Sequence, residues 1–154
     1  MDKVQKILVF TLDDQRCGIA LTAVERVVRM VEITPLPGAP AFVSGVINVQ
    51  GAIVPVVDLR LRFGLPTRQV ELDDQLIITH FAGRSMALTA DTAQGVCDCG
   101  QEAVTEADDI LPDLPFLSGI AKLPDGLILI HDLEQFLPPH EAQTLDEAIA
   151  RELA

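Results

Sequence analysis

The chain has 154 residues, 49% of them hydrophobic, so it is long and apolar enough to bury a core as one domain or as two joined halves. Its formal net charge of −12 repels phosphate groups, which excludes nucleic acid as an expected partner and argues against adsorption to anionic lipid. Six Phe with no Trp or Tyr are too few for a base-stacking or sugar-stacking platform, so the core is expected to be aliphatic.

The first part of the chain predicts short strands joined by turns. β-forming residues fill positions 4–12 and stop at an Asp-Asp turn signal, and residues 17–21 return as the second strand of a hairpin. Thr22 is expected to cap a short helical turn, after which a strand resumes at 27–34. The sequence "PLPGAP" at 35–40 is then a rigid loop.

The next segment, from position 33 to 57, carries no charge and has the length of a membrane span. Its four prolines and three glycines would leave a lipid-facing helix with unsatisfied backbone groups, so buried strands and turns are predicted and membrane insertion is not. Residues 45–49 and 52–57 form a hairpin around Gln50-Gly51, with Pro55 at an edge or bulge. Asp58 is placed to cap the helical turn that follows.

The second half of the chain also predicts short strands separated by turns and loops. Polar residues 64–74 form a connector, and a Pro-rich loop is expected at 108–116. The predicted strands and turns lie at 75–81, 85–91, 95–106, 118–123 and 126–131, followed by a helical turn at 132–137. The last segment, 140–154, predicts a helix whose apolar residues share one face, a pattern more often packed on the chain's own core than on a partner: Ala142, Leu145, Ile149 and Leu153.

Two segments of 16 residues resemble each other, which indicates an internal duplication. "SGVINVQGAIVPVVDL" begins at Ser44 and "SGIAKLPDGLILIHDL" begins at Ser118, and their apolar, turn and capping positions match. A weaker similarity relates "QRCGIAL" in the first half to "GRSMALT" in the second. The chain is therefore predicted to be all-β, with two small modules of about five strands each. A groove where the modules meet is the expected place for a partner to bind.

Motifs for catalysis, cofactors and metals are missing. The chain has no P-loop and no dinucleotide glycine fingerprint, so no cofactor is expected. Cys97 and Cys99 lack a second Cys pair or a nearby His that could complete a metal site, and buried structural thiols are expected instead. An odd number of cysteines without a secretory signal favours the cytoplasm. Paired acids at 73–74 and 108–109 are expected on the solvated surface.

With these elements in place, the sequence resembles the CheW family, the receptor–kinase coupling proteins of bacterial chemotaxis. The resemblance spans residues 5–138 and rests on "ILVFTLDDQRCGIAL", "VERVV", "ITPLPGAPAFVSGVINVQGAIVPVVDLRLRFGLP" and "LILIHDLEQFL". It implies two five-stranded SH3-like β-barrels with a hydrophobic groove between them, short helical turns and a C-terminal helix. One CheW-like domain is expected at 1–139, followed by the helix at 140–154. Within the domain, the first barrel is expected mostly at 14–66 and the second mostly at 74–137. The N-terminal strand is open to either barrel.

The resemblance also implies partners and contact residues. A family member is a non-enzymatic scaffold that bridges the cytoplasmic tip of a chemoreceptor and the regulatory domain of the histidine kinase CheA, in the cytoplasm beside membrane-bound receptor arrays. The positions that match the family's receptor contacts are Val24, Gly45 and Val96. Val27 and Val28 are expected to extend the apolar groove for a receptor helix.

Two positions depart from the family pattern. Gln50 stands where an Arg is common, and Arg26 stands where an acid is usual. Neutral drift on a turn and an altered choice of receptor or kinase both explain the change, because exchanging charges at a contact alters partner preference. Two other functions stay open beside the coupling scaffold: a paralogue or decoy that binds a kinase of another pathway without activating it, and a hydrolase that uses His131 and Asp132.

Overall fold

The computed structural model describes residues 4–100, 104–106 and 117–153, and most of these residues are in β-strands. Within these ranges the strands are accompanied by two helices, α1 (Leu59–Arg62) and α2 (Pro139–Leu153), and by two 3₁₀ turns at Leu21–Ala23 and Leu133–Phe136. The strands are β1 (Val4–Leu12), β2 (Gln15–Ala20), β3 (Val24–Arg29), β4 (Val43–Val49), β5 (Ala52–Val57), β6 (Gln75–Phe81), β7 (Arg84–Ala90), β8 (Thr92–Gly100), β9 (Val104–Glu106), β10 (Leu117–Leu123) and β11 (Gly126–His131).

The strands form two sheets, and the predicted all-β fold with two β subdomains and a C-terminal helix is confirmed. One sheet has the order β8-β1-β2-β11-β10-β9 and the other has the order β3-β6-β7-β5-β4. Each sheet encloses a small aliphatic core of its own, and a third and larger core, here called the inter-sheet core, draws residues from both sheets and from α2. The predicted hydrophobic region between two modules is thus present.

The internal duplication appears as two equivalent hairpins with equivalent partners. β5 pairs in parallel with β7, placing Val56 opposite Ala87, and β11 pairs in parallel with β2, placing Ile130 opposite Gly18. Each repeat ends in a capped turn, in which Asp58 accepts a hydrogen bond from the Leu61 amide and its equivalent aspartate accepts one from the Glu134 amide. The predicted similarity therefore extends to pairing and capping.

The expected division of the chain between the two barrels is wrong in detail. The prediction put mostly 14–66 in one barrel and mostly 74–137 in the other, and it left the N-terminal strand open. Instead, β2 lies with β1 in the sheet that contains β8–β11, and the hairpin β6–β7 lies in the sheet with β3–β5. Each sheet therefore combines a hairpin from one half of the chain with strands from the other half, and the parallel pairs β2–β11 and β5–β7 join them. The prediction failed because it assumed that strands close in the sequence pair with each other, whereas parallel strands pair across long connections.

Two local expectations also need correction. The helical turn expected after Thr22 is only three residues long, lacks a side-chain cap, and gives way to β3 at Val24 because β-branched valines favour a strand. Pro55 lies in an interior strand rather than at an edge, and it pairs with Val46 next to the register shift between Val43 and Gly45. The sheet tolerates the proline because the parallel pairing of β5 with β7 involves only Val56 and Val57, so Pro55 lies outside that part of the ladder.

Helix α2 packs on the body of the protein. Leu145 and Ala148 are buried in the inter-sheet core, and the expectation that the helix covers the chain's own core is met by these residues. Two ion pairs hold the polar side of the helix, from Arg62 to Glu141 at 3.1 Å and from Arg84 to Asp146 at 2.8 Å. Because the side chain of Leu153 is outside the described residues, its part in the predicted stripe stays a prediction.

Candidate functional site

The three candidate valines of β3 divide between two cores. β3 is an edge strand that pairs with β6, placing Val27 opposite Ile77 and Val28 opposite Leu76. Successive residues of a strand face opposite sides, and a register shift between Val24 and Arg26 brings Val24 onto the same side as Val27. These two valines pack against the inter-sheet core, while Val28 packs against the core inside its own sheet. Val24 and Val27 thus lie at the rim of the inter-sheet core, and Val28 does not join them.

Val96 lies on the corresponding edge of the other sheet. Its strand, β8, pairs only with β1 among the described strands, and the register places Val96 opposite Leu8, a buried member of the inter-sheet core. Residues directly opposite each other share a face, so Val96 points toward the same core from its open side. With 53% of its surface exposed, Val96 is an apolar side chain that faces solvent at this edge.

Gln50 and Arg26, the two departures from the family pattern, come together in space. Gln50 and Gly51 both have positive φ angles, of 50° and 89°, and form the tight turn between β4 and β5. Asn48 fixes this turn, because its Oδ1 accepts a hydrogen bond of 2.7 Å from the Gly51 amide. The exposed Gln50 side chain then accepts a hydrogen bond of 3.4 Å from Arg26. The sequence singled out both positions but gave no sign that they touch.

Gly45 is buried in β4, and backbone packing explains why a glycine stands there. Thr34 bridges to Val46 through two backbone hydrogen bonds of 2.8 and 2.9 Å, which bring the loop before β4 against the strand. A Cβ at position 45 would collide with the carbonyl oxygen of Thr34. The structure therefore gives Gly45 a packing role, and a direct contact with a partner at this position stays a prediction.

A network of ion pairs that the sequence did not reveal ties the two sheets together. Arg60 of α1 is almost fully buried and pairs with Asp13 in the β1–β2 turn and with Asp91 before β8, both at 2.7 Å. Arg68 of the connector pairs with Asp91 at 2.8 Å and with Asp74 at 2.7 Å. These residues come from both sheets and from the connector, so the network links all three.

Two carboxyl groups of the network, Asp13 and Asp74, have lowered pKa values, which favours their charged forms. Hydrogen bonding from Arg60 lowers the pKa of Asp13 below its ordinary value. Burial acts to raise the pKa of Asp74, but hydrogen bonds from Arg68 and from the Glu71 amide, together with the positive charge of Arg68, outweigh it and lower the pKa. The expectation that Asp74 is a solvated surface acid is wrong, since it is 7% exposed.

The three cysteines occupy structural positions. Cys17 and Cys99 are buried, and burial raises the pKa of Cys17 to about 12 and that of Cys99 to about 11, so both are protonated thiols near neutral pH. Cys97 is half-buried, and its Sγ lies 3.5 Å from Sγ of Cys99, as expected for residues on the same side of a strand. In the described residues no cluster of three or more His, Cys, Asp or Glu side chains could hold a metal ion.

The arrangement of His131 and Asp132 does not favour hydrolysis. The His131 ring is buried and stacks on Phe63 with ring centres 4.3 Å apart, beside Phe136. The Asp132 carboxylate caps the following 3₁₀ turn by accepting a hydrogen bond of 3.0 Å from the Glu134 amide. Both side chains are thus engaged in packing and capping. Asp132, like Asp58, serves the repeated fold rather than a nucleophile.

These features define a class of protein: a two-sheet β scaffold that presents apolar and polar side chains on open edge strands beside an inter-sheet core. Within the described ranges, no helix has the length and apolar character needed to cross a membrane. Comparisons with known proteins identify the family. The model of the CheW-like domain matches residues 6–140, so the chain belongs to the CheW-like family.

Individual relatives agree with this assignment. The chain is 26% identical over 144 residues to the chemotaxis protein CheW of Klebsiella aerogenes, covering 92% of this chain and 87% of that protein. It is 26% identical over 141 residues to the chemotaxis protein CheW of Rhizobium meliloti, covering 90% and 91% of the two chains. The crystal structure of the scaffolding protein TtCheW from Thermoanaerobacter tengcongensis superposes with a TM-score of 0.82 at 32% identity, covering 90% of this chain and 96% of that one.

Proposed function

We propose that this protein is a non-enzymatic scaffold that couples chemoreceptors to the histidine kinase CheA in chemotaxis signalling. The observation that carries the proposal is the CheW-like domain across residues 6–140, supported by relatives over most of the chain that are themselves named chemotaxis protein CheW. The partners are the cytoplasmic tip of a chemoreceptor and the regulatory domain of CheA. The protein acts in the cytoplasm, beside membrane-bound receptor arrays.

The rim of the inter-sheet core is the proposed receptor site. Val24 and Val27 lie at it on one sheet, and Val96, which is opposite Leu8 of the same core, lies on the edge strand of the other sheet. A receptor helix that contacts both edges would bury apolar side chains of both. An amphipathic helix in an apolar groove binds through a few such anchors. Gln50 accepts a hydrogen bond from Arg26, which is on the same strand as Val24 and Val27. Val28 supports β3 from the inside, as its packing against the core of its own sheet indicates.

A substitution of Val96 tests the receptor site against a matched control. Val96→Asp is expected to weaken binding to a purified receptor tip at least tenfold, because an aspartate at an apolar anchor loses burial and adds a desolvation cost. Leu127→Asp is the control, since Leu127 is also 53% exposed but lies at the start of β11. Equal losses for both variants, with unchanged thermal unfolding, would contradict the assignment of the rim.

A decoy that binds CheA without activating it is the second candidate, favoured by the unusual pair Arg26 and Gln50. Reconstituted arrays that contain receptor, CheA and this protein separate the two candidates. A coupling scaffold raises CheA autophosphorylation above the level without it, whereas a decoy lowers the activity supported by another coupling protein. Failure to retain either the receptor tip or the CheA regulatory domain at high micromolar protein would overturn both.

A further inference from the structure

Cys97 and Cys99 bring two thiols together on one side of β8. Their Sγ atoms are 3.5 Å apart, which is close enough for a hydrogen bond between thiols. Both side chains pack in the core inside their own sheet, whereas Val96 faces the other side of the strand. Cys17 takes no part, because it packs in the inter-sheet core on the other face of the same sheet. The cysteines therefore divide into a close pair and a separate thiol.

The two thiols of the pair differ in exposure, which gives them different roles in a reaction with a reagent from solvent. Cys97 is half-buried, so a small molecule can reach its sulfur, whereas Cys99 is only 1% exposed. Burial raises the pKa of Cys99 to about 11, and the hydrogen bond with Cys97 and the charge of Cys97 raise it further. Once the Cys97 sulfur is in a mixed disulfide it carries no charge, so one effect that opposes ionisation of Cys99 is removed.

β8 can deform where the pair lies. Alternate residues of a strand are about 6.6 Å apart at Cα, near the upper end of the range of about 4.4–6.8 Å for residues joined by a disulfide. Closing the bond therefore draws the two residues together and bends the strand. β8 is at the edge of its sheet among the described strands, and its register with β1 already shifts between Val9 and Phe10. Gly95 adds freedom, since its φ is 117° and nothing lies within 4 Å of an added Cβ. A strained bond of this kind is readily reduced again.

We propose that Cys97 and Cys99 are a reversible redox pair, which a low-molecular-weight disulfide such as oxidised glutathione converts to an intramolecular disulfide. The Cys97 thiolate attacks one sulfur of the reagent, forms a mixed disulfide and releases one glutathione thiolate. The Cys99 thiolate then attacks Sγ of Cys97, forms the internal bond and releases the second glutathione thiolate. The two protons of the cysteine thiols end on the two glutathione molecules, and the two electrons reduce the disulfide of the reagent. The bond lies next to Val96, but its formation does not depend on the proposed receptor contact.

Mass spectrometry of the full, folded chain tests the proposal. The reduced protein is incubated with oxidised glutathione, and the remaining free thiols are then alkylated and mapped. The unsubstituted protein is expected to lose two hydrogen atoms, with Cys97 and Cys99 both protected from alkylation. Cys99→Ser is expected to stop at the mixed disulfide and gain one glutathione, and Cys97→Ser is expected to stay largely unreacted. Cys17 is the internal control, because burial raises its pKa to about 12 and it should react only after unfolding.

Each result either supports or overturns the redox pair. An internal disulfide that disappears in a large excess of reduced glutathione supports it. The proposal is wrong if all thiols stay free, if the mixed disulfide accumulates without the second step, or if the internal bond resists the excess. Equal reaction of Cys97→Ser would refute the order of the two attacks. Circular dichroism checks the fold of each variant, and Cys99→Ala replaces Cys99→Ser if the buried hydroxyl unfolds the chain. No readout involves a receptor or a kinase, so failure here leaves the scaffold function standing.

Discussion

Replacing Gly45 by alanine separates a packing role from a partner contact. The added methyl group meets the Thr34 carbonyl, which is backbone and cannot move by a change of rotamer. Relief requires residues 33–34 to withdraw from β4, which breaks the two hydrogen bonds between Thr34 and Val46. Lost hydrogen bonds and overpacking together give an expected loss of about 3–5 kcal/mol in the free energy of unfolding.

Urea denaturation followed by circular dichroism measures this loss, and Gly51 provides the control. Gly51 has a φ of 89° but nothing within 4 Å of the position of an added Cβ, so Gly51→Ala carries only the cost of the left-handed conformation. That cost is about 1–2 kcal/mol. The packing argument is refuted if Gly45→Ala keeps the urea midpoint of the unmodified protein. If such a variant also lost receptor binding, Gly45 would be a contact residue.

Two further predictions concern the ion network and α2. The pKa values of Asp13 and Asp74 are lowered in the folded state, so the stability that these carboxylates contribute is present above about pH 5 and is lost as the pH falls below about 4. Asp74→Asn should therefore flatten the dependence of the urea midpoint on pH, and an unchanged slope would contradict this. Leu145→Ala should cost about 2–4 kcal/mol in urea unfolding because Leu145 is fully buried, whereas the exposed Glu147→Ala should cost less than about 0.5. Equal effects would show that α2 is not docked in solution.

The strand pattern could be predicted from the sequence because turns and helix caps depend on residues that are close together in the chain. The turn at Gln50-Gly51 and the cap at Asp58 depend on residues a few positions apart, and the structure has both where they were expected. The duplication could be predicted for the same reason, since matched turns and caps recur at Ser44 and Ser118. Local signals thus gave the elements and their repetition.

The exchange of hairpins between the sheets could not be predicted in the same way. The pairing of β2 with β11 joins residues more than a hundred positions apart and involves only two residue pairs, Cys17 with Leu129 and Gly18 with Ile130. Nothing in the composition of either strand specifies that partner. The buried network around Arg60 was missed for a similar reason, because Asp13 and Asp91 approach it only after the sheets have assembled.

The candidate site shows the same division between local and long-range information. Comparing the sequence with the family pattern one position at a time identified Gln50 and Arg26 as two separate departures. The 3.4 Å contact between them makes the two departures one change, in which an uncharged acceptor holds a cation without neutralising it. Drift at a single turn residue would not require a matching change on β3. The contact therefore favours altered partner preference over neutral drift.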